Sequence, residues 1–189
     1  MGATTLALAR RRDDVRFAER WFVGDALDVG DGNDLLGLGV WPRLTSCRGW
    51  DVCRDPDEDA VHLPGLAPAS FDVVYSSHCL EHLVDWPAAL RRWWEVLRPG
   101  GVLVVVVPDF VLYEREIWPS THNGDHKTTW TTASLRERVV AECAGASVER
   151  LALLDAHFHS EWAVAIDQTC AQGDEPACEC GVEIVARKP

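Results

Sequence analysis

Two continuous apolar runs, Phe71 to Tyr75 and Val102 to Val107, flank a segment whose apolar positions recur at helical spacing. Runs without apolar–polar alternation predict parallel strands covered on both faces. Between them, Trp86, Leu90, Trp93, Trp94 and Leu97 form one helical face, and Arg91, Arg92, Glu95 and Arg98 take the other. Asp85 is a good N-cap with Pro87 in the first turn, and Pro99-Gly100-Gly101 stops the helix. The unit is strand–helix–strand, and Ser76, Ser77 and His78 gather at the carboxyl end of its first strand. In open α/β sheets that edge receives ligands.

The same logic extends in both directions. Ala26 to Val29 predicts a short strand running into a glycine-rich turn, Gly30-Asp31-Gly32-Asn33-Asp34. Ser46 to Asp51 reads as a second strand ending in an acid. Thr132 to Ala144 predicts a helix, Val148 to Leu154 a sixth strand and Val182 to Arg187 a closing one. The fold class is therefore α/β, with a sheet of about seven strands in one domain.

Leu63-Pro64, Phe71-Asp72-Val73-Val74, Leu80-Glu81-His82, Leu97-Arg98-Pro99-Gly100-Gly101 and Pro108 follow one another in a characteristic order and spacing. The set resembles the class I S-adenosylmethionine-dependent methyltransferases, most closely the small type 11 kind, over about Ala26 to Asp109. The resemblance implies a Rossmann-like three-layer sandwich whose sheet is mostly parallel and whose last strand is antiparallel. Residues 1–20 would then be an N-terminal arm, and 110–131 and 158–181 substrate or lid loops.

The resemblance also implies S-adenosylmethionine as cofactor. Asp28, Gly30 and Gly32 match the first three positions of the family's D-x-G-x-G-x-G loop. Asp34 replaces the fourth glycine, and Asp31 replaces a small or thiol residue. Glycine is needed there because a Cβ would hold the backbone away from a ligand. Asp51 would accept the ribose hydroxyls, with Asp55 and Asp57 as competitors. Asp59-Ala60 matches the pair that faces the adenine, and Ser76 would lie beside the cofactor. A dinucleotide is disfavoured: position 35 is leucine where G-x-G-x-x-G needs glycine, and Gly37, Gly39 and Pro42 leave little room for the helix that pyrophosphate uses.

Methyl transfer is an in-line displacement, so the protein must chiefly align the reactants and exclude water. A base is needed only for a nucleophile that loses a proton, a task histidine suits near neutral pH. His78 at the strand end and His126 in the long aromatic-rich loop are the candidate catalytic residues. Ser77, Asn123 and Lys127 are the candidate acceptor contacts. Glu81 and His82 read as ties between the helix start and the sheet. His157-Phe158-His159 could place two rings on one face, but the strand end at Ser76 to His78 carries no carboxylate, so no metal is expected.

A formal charge of −12 and a pI near 4.9 argue against a nucleic-acid substrate. No apolar run approaches the roughly 20 residues of a membrane span. The apolar N-terminal piece precedes its arginines, the reverse of a signal peptide. The seven cysteines lack paired metal-site spacing and read as reduced thiols, so the expected location is cytoplasmic. The expected function is methyl transfer to a small molecule or sugar, at oxygen in preference to nitrogen. Loops must recognise the acceptor, which leaves room for a homodimer to complete the pocket. The alternatives are a non-catalytic partner subunit, favoured by Asp34, and a methyltransferase acting on protein or RNA.

Overall fold

The computed structural model describes residues 15–32, 35–36, 41–154 and 180–189. Helix α1 (Val15–Trp21) precedes strands β1 (Gly24–Val29), β2 (Leu44–Trp50) and β3 (Phe71–Ser77). A 3-10 turn, Leu80–His82, leads to helix α2 (Trp86–Val96) and strand β4 (Leu97–Pro108). Helix α3 (Thr132–Glu142) and strands β5 (Ser147–Leu154) and β6 (Gly181–Arg187) complete the chain. Asp34, His157 to His159 and nearly all of the 158–181 loop lie outside the described residues.

The strands form one sheet in the order β2-β1-β3-β4-β6-β5. The first four are mutually parallel, and β6 runs antiparallel to β4 and β5, as expected for a closing strand. The described residues hold six strands and not about seven. The segment between β2 and β3 supplies none, because Asp51, Arg54, Asp55, Asp57, Glu58 and Asp59 leave it no apolar run and it folds as consecutive turns. Strand β2 is consequently an edge.

Helix α2 ends at Val96, earlier than expected, so Leu97 and Arg98 leave the helix and Pro99-Gly100-Gly101 lies within β4 at a bulged register instead of forming a separate turn. Gly101 permits this, since a Cβ there would lie 2.8 Å from the Asp72 carbonyl oxygen. Asp85 accepts from the Ala88 N–H at 3.1 Å, which fixes the start of α2. The helix buries Leu90, Trp93 and Trp94 against the sheet. Both indoles keep a partner: Trp93 Nε1 donates to the Ala60 carbonyl (2.8 Å) and Trp94 Nε1 to that of Ala144 (3.1 Å). Burial of such rings without orphaned donors is a large stabilising contribution.

Helices α2 and α3 cover one face of the sheet, in a core running from Leu27 to Ala186. On the other face Phe17, Ala18, Trp21 and Phe22 pack with Trp41 and Tyr75, so Phe17 and Ala18 of the expected N-terminal arm belong to the core. Beyond β4, Phe110 N donates to the Trp130 carbonyl at 2.7 Å, and Lys127 N to that of Glu81 at 2.7 Å. The irregular 110–130 segment is thereby folded back onto the Leu80–His82 turn, at the carboxyl edge of the sheet.

Candidate functional site

The carboxyl ends of β1 and β3 sit side by side, since Val29 pairs with Ser76. Gly30 and Gly32 follow β1 with φ of +76° and +54°. At Gly30 a Cβ would lie 2.7 Å from the Cys79 sulfur, whereas at Gly32 it would meet nothing within 4 Å. The first glycine thus lets the turn press against the β3 end, and the second leaves a bare backbone facing open space. A cavity of about 400 Å³ opens there, lined by Asp31, Gly32, Leu35, Cys53 and Arg54. A larger cavity of about 500 Å³ lies at the opposite edge, around Gly24, Asp72 and Gly100, away from the strand ends that carry the motifs.

The acids around this turn are all engaged. Asp28 is buried and accepts from the Leu36 N–H at 2.7 Å. Burial pushes its carboxyl up to about 8; the Leu36 hydrogen bond opposes that rise and Asp31 adds to it. Asp31 is buried too, and Arg54 grips both its oxygens (2.9 and 3.2 Å) while also reaching Glu58. Asp51 stands across the turn and accepts from Gly32 N (2.8 Å) and Cys53 N (2.7 Å). Each of its oxygens retains a lone pair for a further donor. Asp59 accepts from the Val61 N–H and pairs with His62, and its main chain receives the Trp50 indole. Ala60 receives the Trp93 indole, so this pair is fixed by the core beneath it.

Ser76 is buried and donates to the Val29 carbonyl at 2.9 Å, which locks β3 to β1. Ser77 Oγ lies 2.9 Å from His78 Nδ1, and His78 adopts a left-handed φ of +56° just past the strand. Such a conformation costs about 1–3 kcal/mol for a non-glycine residue.

The long loop places its candidates differently. Asn123 Oδ1 caps a local turn through Asp125 N, and Lys127 Nζ pairs with Asp125 at 2.7 Å. His126 is buried, with Nδ1 2.5 Å from Glu114 Oε1 and its ring 4.9 Å from that of His82. Its neighbours are therefore Glu114, Tyr113 and His82. Glu81, Glu114 and Asp125 enter the same group of side chains. Sequence reasoning did not join them; the available signal was an acid–histidine pair at a helix start together with a histidine in a long loop.

With this geometry in view, the sequence comparisons carry weight. Residues 42–105 match a family profile described as a methyltransferase domain. Trans-aconitate 2-methyltransferase of Deinococcus radiodurans is 59% identical over 39 residues, covering 21% of this chain and 15% of that protein. Malonyl-[acyl-carrier protein] O-methyltransferase of Xylella fastidiosa is 28% identical over 121 residues, covering 53% of this chain and 41% of its own. The chain thus matches less than half the length of either relative. An S-adenosylmethionine-dependent methyltransferase from Mesorhizobium loti superposes with a TM-score of 0.62 at 16% identity, over 93% of this chain and 96% of the other. Residues 42–105 thus match the methyltransferase-domain profile, and the chain has the fold of an S-adenosylmethionine-dependent methyltransferase. No helix among the described residues is long and apolar enough to cross a membrane.

Proposed function

We propose that the chain transfers a methyl group from S-adenosylmethionine to an oxygen of a small molecule or sugar. The observation that carries this reading is the bare, positive-φ backbone at Gly32, set between the carboxylates of Asp31 and Asp51 beside the 400 Å³ cavity. A ligand bearing a ribose and a positive charge suits that lining. When bound, the cofactor supplies an electrophilic methyl on a sulfonium.

The chain's own residues then have separate tasks. Gly30 and Gly32 allow close approach, Asp28 fixes the following backbone through Leu36, and Asp51 offers acceptor lone pairs to a ribose. Asp59 and Ala60 flank the adenine side. Ser76 holds the strand ends together, and Ser77 orients the His78 ring. His78 takes the proton from a hydroxyl acceptor, while Asn123 and Lys127 bind the acceptor's polar groups. One relative carries O-methyltransferase in its name, which supports oxygen as the acceptor atom. The net charge of −12 supports a partner other than nucleic acid.

A second reading, a non-catalytic partner subunit, is favoured by one feature: Arg54 holds Asp31 at the cavity wall, where a charged lock would hinder entry. Calorimetric titration with S-adenosylmethionine, with NAD as control, separates the two. Binding of the former alone, followed by transfer of labelled methyl to hydroxyl or carboxylate acceptors, is the expected result. Absence of binding by folded protein would favour the partner subunit.

A further inference from the structure

We propose that Glu81, His82 and His126 bind a divalent metal ion of the zinc class, with Glu114 orienting His126. The starting point is a buried carboxylate with nothing to satisfy it. Glu81 is 1% exposed, and neither of its side-chain oxygens has a hydrogen-bond partner. Isolating such a group from water costs several kcal/mol as an ion, and proteins rarely leave it so without a counter-charge or a proton. Glu114, at 2% exposure, also leaves Oε2 unpartnered. Two buried acids with three open oxygens face one small region.

The histidines in that region are arranged as metal ligands are. Glu114 engages Nδ1 of His126, which leaves Nε2 as the nitrogen with a free lone pair. Asp125 Oδ2 lies 3.3 Å from Nδ1 of His82, and Nε2 of His82 is 3.8 Å from Glu81 Oε1. The Glu114 carboxylate behind the His126 imidazole fixes its tautomer, as in carboxylate–histidine–zinc arrangements. One ligand atom from each of Glu81, His82 and His126 lies within 4.8 Å of the other two. Ligands about 2.0–2.2 Å from a tetrahedral ion stand roughly 3.3–3.6 Å apart, so small side-chain rotations close the set.

Two imidazoles and a carboxylate suit zinc or a neighbouring transition metal better than calcium or magnesium. Three protein ligands leave a fourth position for water or an acceptor oxygen. The ion would also fasten the 110–130 loop to the Leu80–His82 turn, which Lys127 N and the Glu81 carbonyl already join. The sequence reading expected no metal; the cluster gives the physical ground for departing from it.

The test uses the full chain, stripped of metal and titrated with Zn2+, and with Co2+ as a visible-absorption probe. One ion per chain, with Co2+ bands lacking thiolate charge transfer, is expected. Glu114→Gln should weaken affinity about 10–100-fold, and Glu81→Gln or His126→Gln more, each with an unchanged far-ultraviolet circular dichroism spectrum. His157→Ala/His159→Ala and Cys178→Ser should bind as the parent does. Failure of folded parent protein to bind, unchanged affinity in both Glu81→Gln and His126→Gln, or a thiolate signature would each overturn the proposal. Titration of the same preparation with S-adenosylmethionine is read separately, so the metal site and the methyltransferase reading fail independently.

Discussion

The two acidic groups on the carboxyl edge of the sheet are built on opposite plans. Around the glycine turn, Asp28, Asp31 and Asp51 each accept from a backbone N–H or from Arg54. Around the Leu80–His82 turn, Glu81 and Glu114 are buried with three oxygens unpartnered. The first group spends its hydrogen bonds on shaping a loop and keeps the ligand face as bare backbone. The second holds its loop by main-chain bonds and leaves three buried carboxylate oxygens without a hydrogen-bond partner. Engaged acids pre-organise a turn; unengaged buried acids call for a proton or a cation.

The largest expected effect lies between the two groups. His78→Ala should lower turnover about 10²–10⁴-fold with a hydroxyl acceptor while S-adenosylmethionine affinity, read by calorimetry, stays within a few-fold. Equal loss of both would move His78 into the cofactor side of the comparison. Next is Gly30→Ala, which forces a Cβ against Cys79 at a φ of +76°. About 2 kcal/mol or more of stability should be lost in urea unfolding, together with cofactor binding. A neutral outcome would mean the turn does not need its close packing on the β3 end.

The pH dependence of stability sharpens the contrast further. The Asp28 carboxyl is raised from 3.8 to about 8, against Arg54 and the Leu36 N–H and with Asp31 and Asp51. A raised carboxyl contributes stability that is full below its unfolded pKa and lost as pH rises through the folded one. Stability should therefore decline from mildly acidic to mildly alkaline pH, and Asp28→Asn should flatten that slope in urea titrations at the two extremes. The smallest effect is expected at the opposite edge of the sheet. Arg98 pairs with Asp25 (3.1 Å) and Asp72 (2.6 Å), all three more than a third exposed. Arg98→Ala should cost less than about 1 kcal/mol in thermal unfolding, showing that a charge cluster without burial carries little.

Local periodicity made the strand–helix–strand core legible: Phe71 to Val107 folds with the elements and cap its residues announce. The glycine turn was legible for the same reason, since Gly30 and Gly32 are needed by the backbone they occupy. The expected count of about seven strands exceeded the six described, and the charge run between β2 and β3 is where the sequence holds no apolar run to form one.

What the sequence determined by itself were features whose cause lies within a few residues: element type, the order of the motifs and the glycine turn after β1. Only tertiary structure decided what His126 faces. Its partners Glu114, His82 and Glu81 come from the long loop and from the turn after β3. Their convergence depends on how residues 110–130 fold back across the sheet edge. No periodicity records that path, because it is set by contacts such as Phe110 with Trp130 and Lys127 with Glu81. Burial and the absence of a partner belong to the folded chain alone, and they turn four polar side chains into a site.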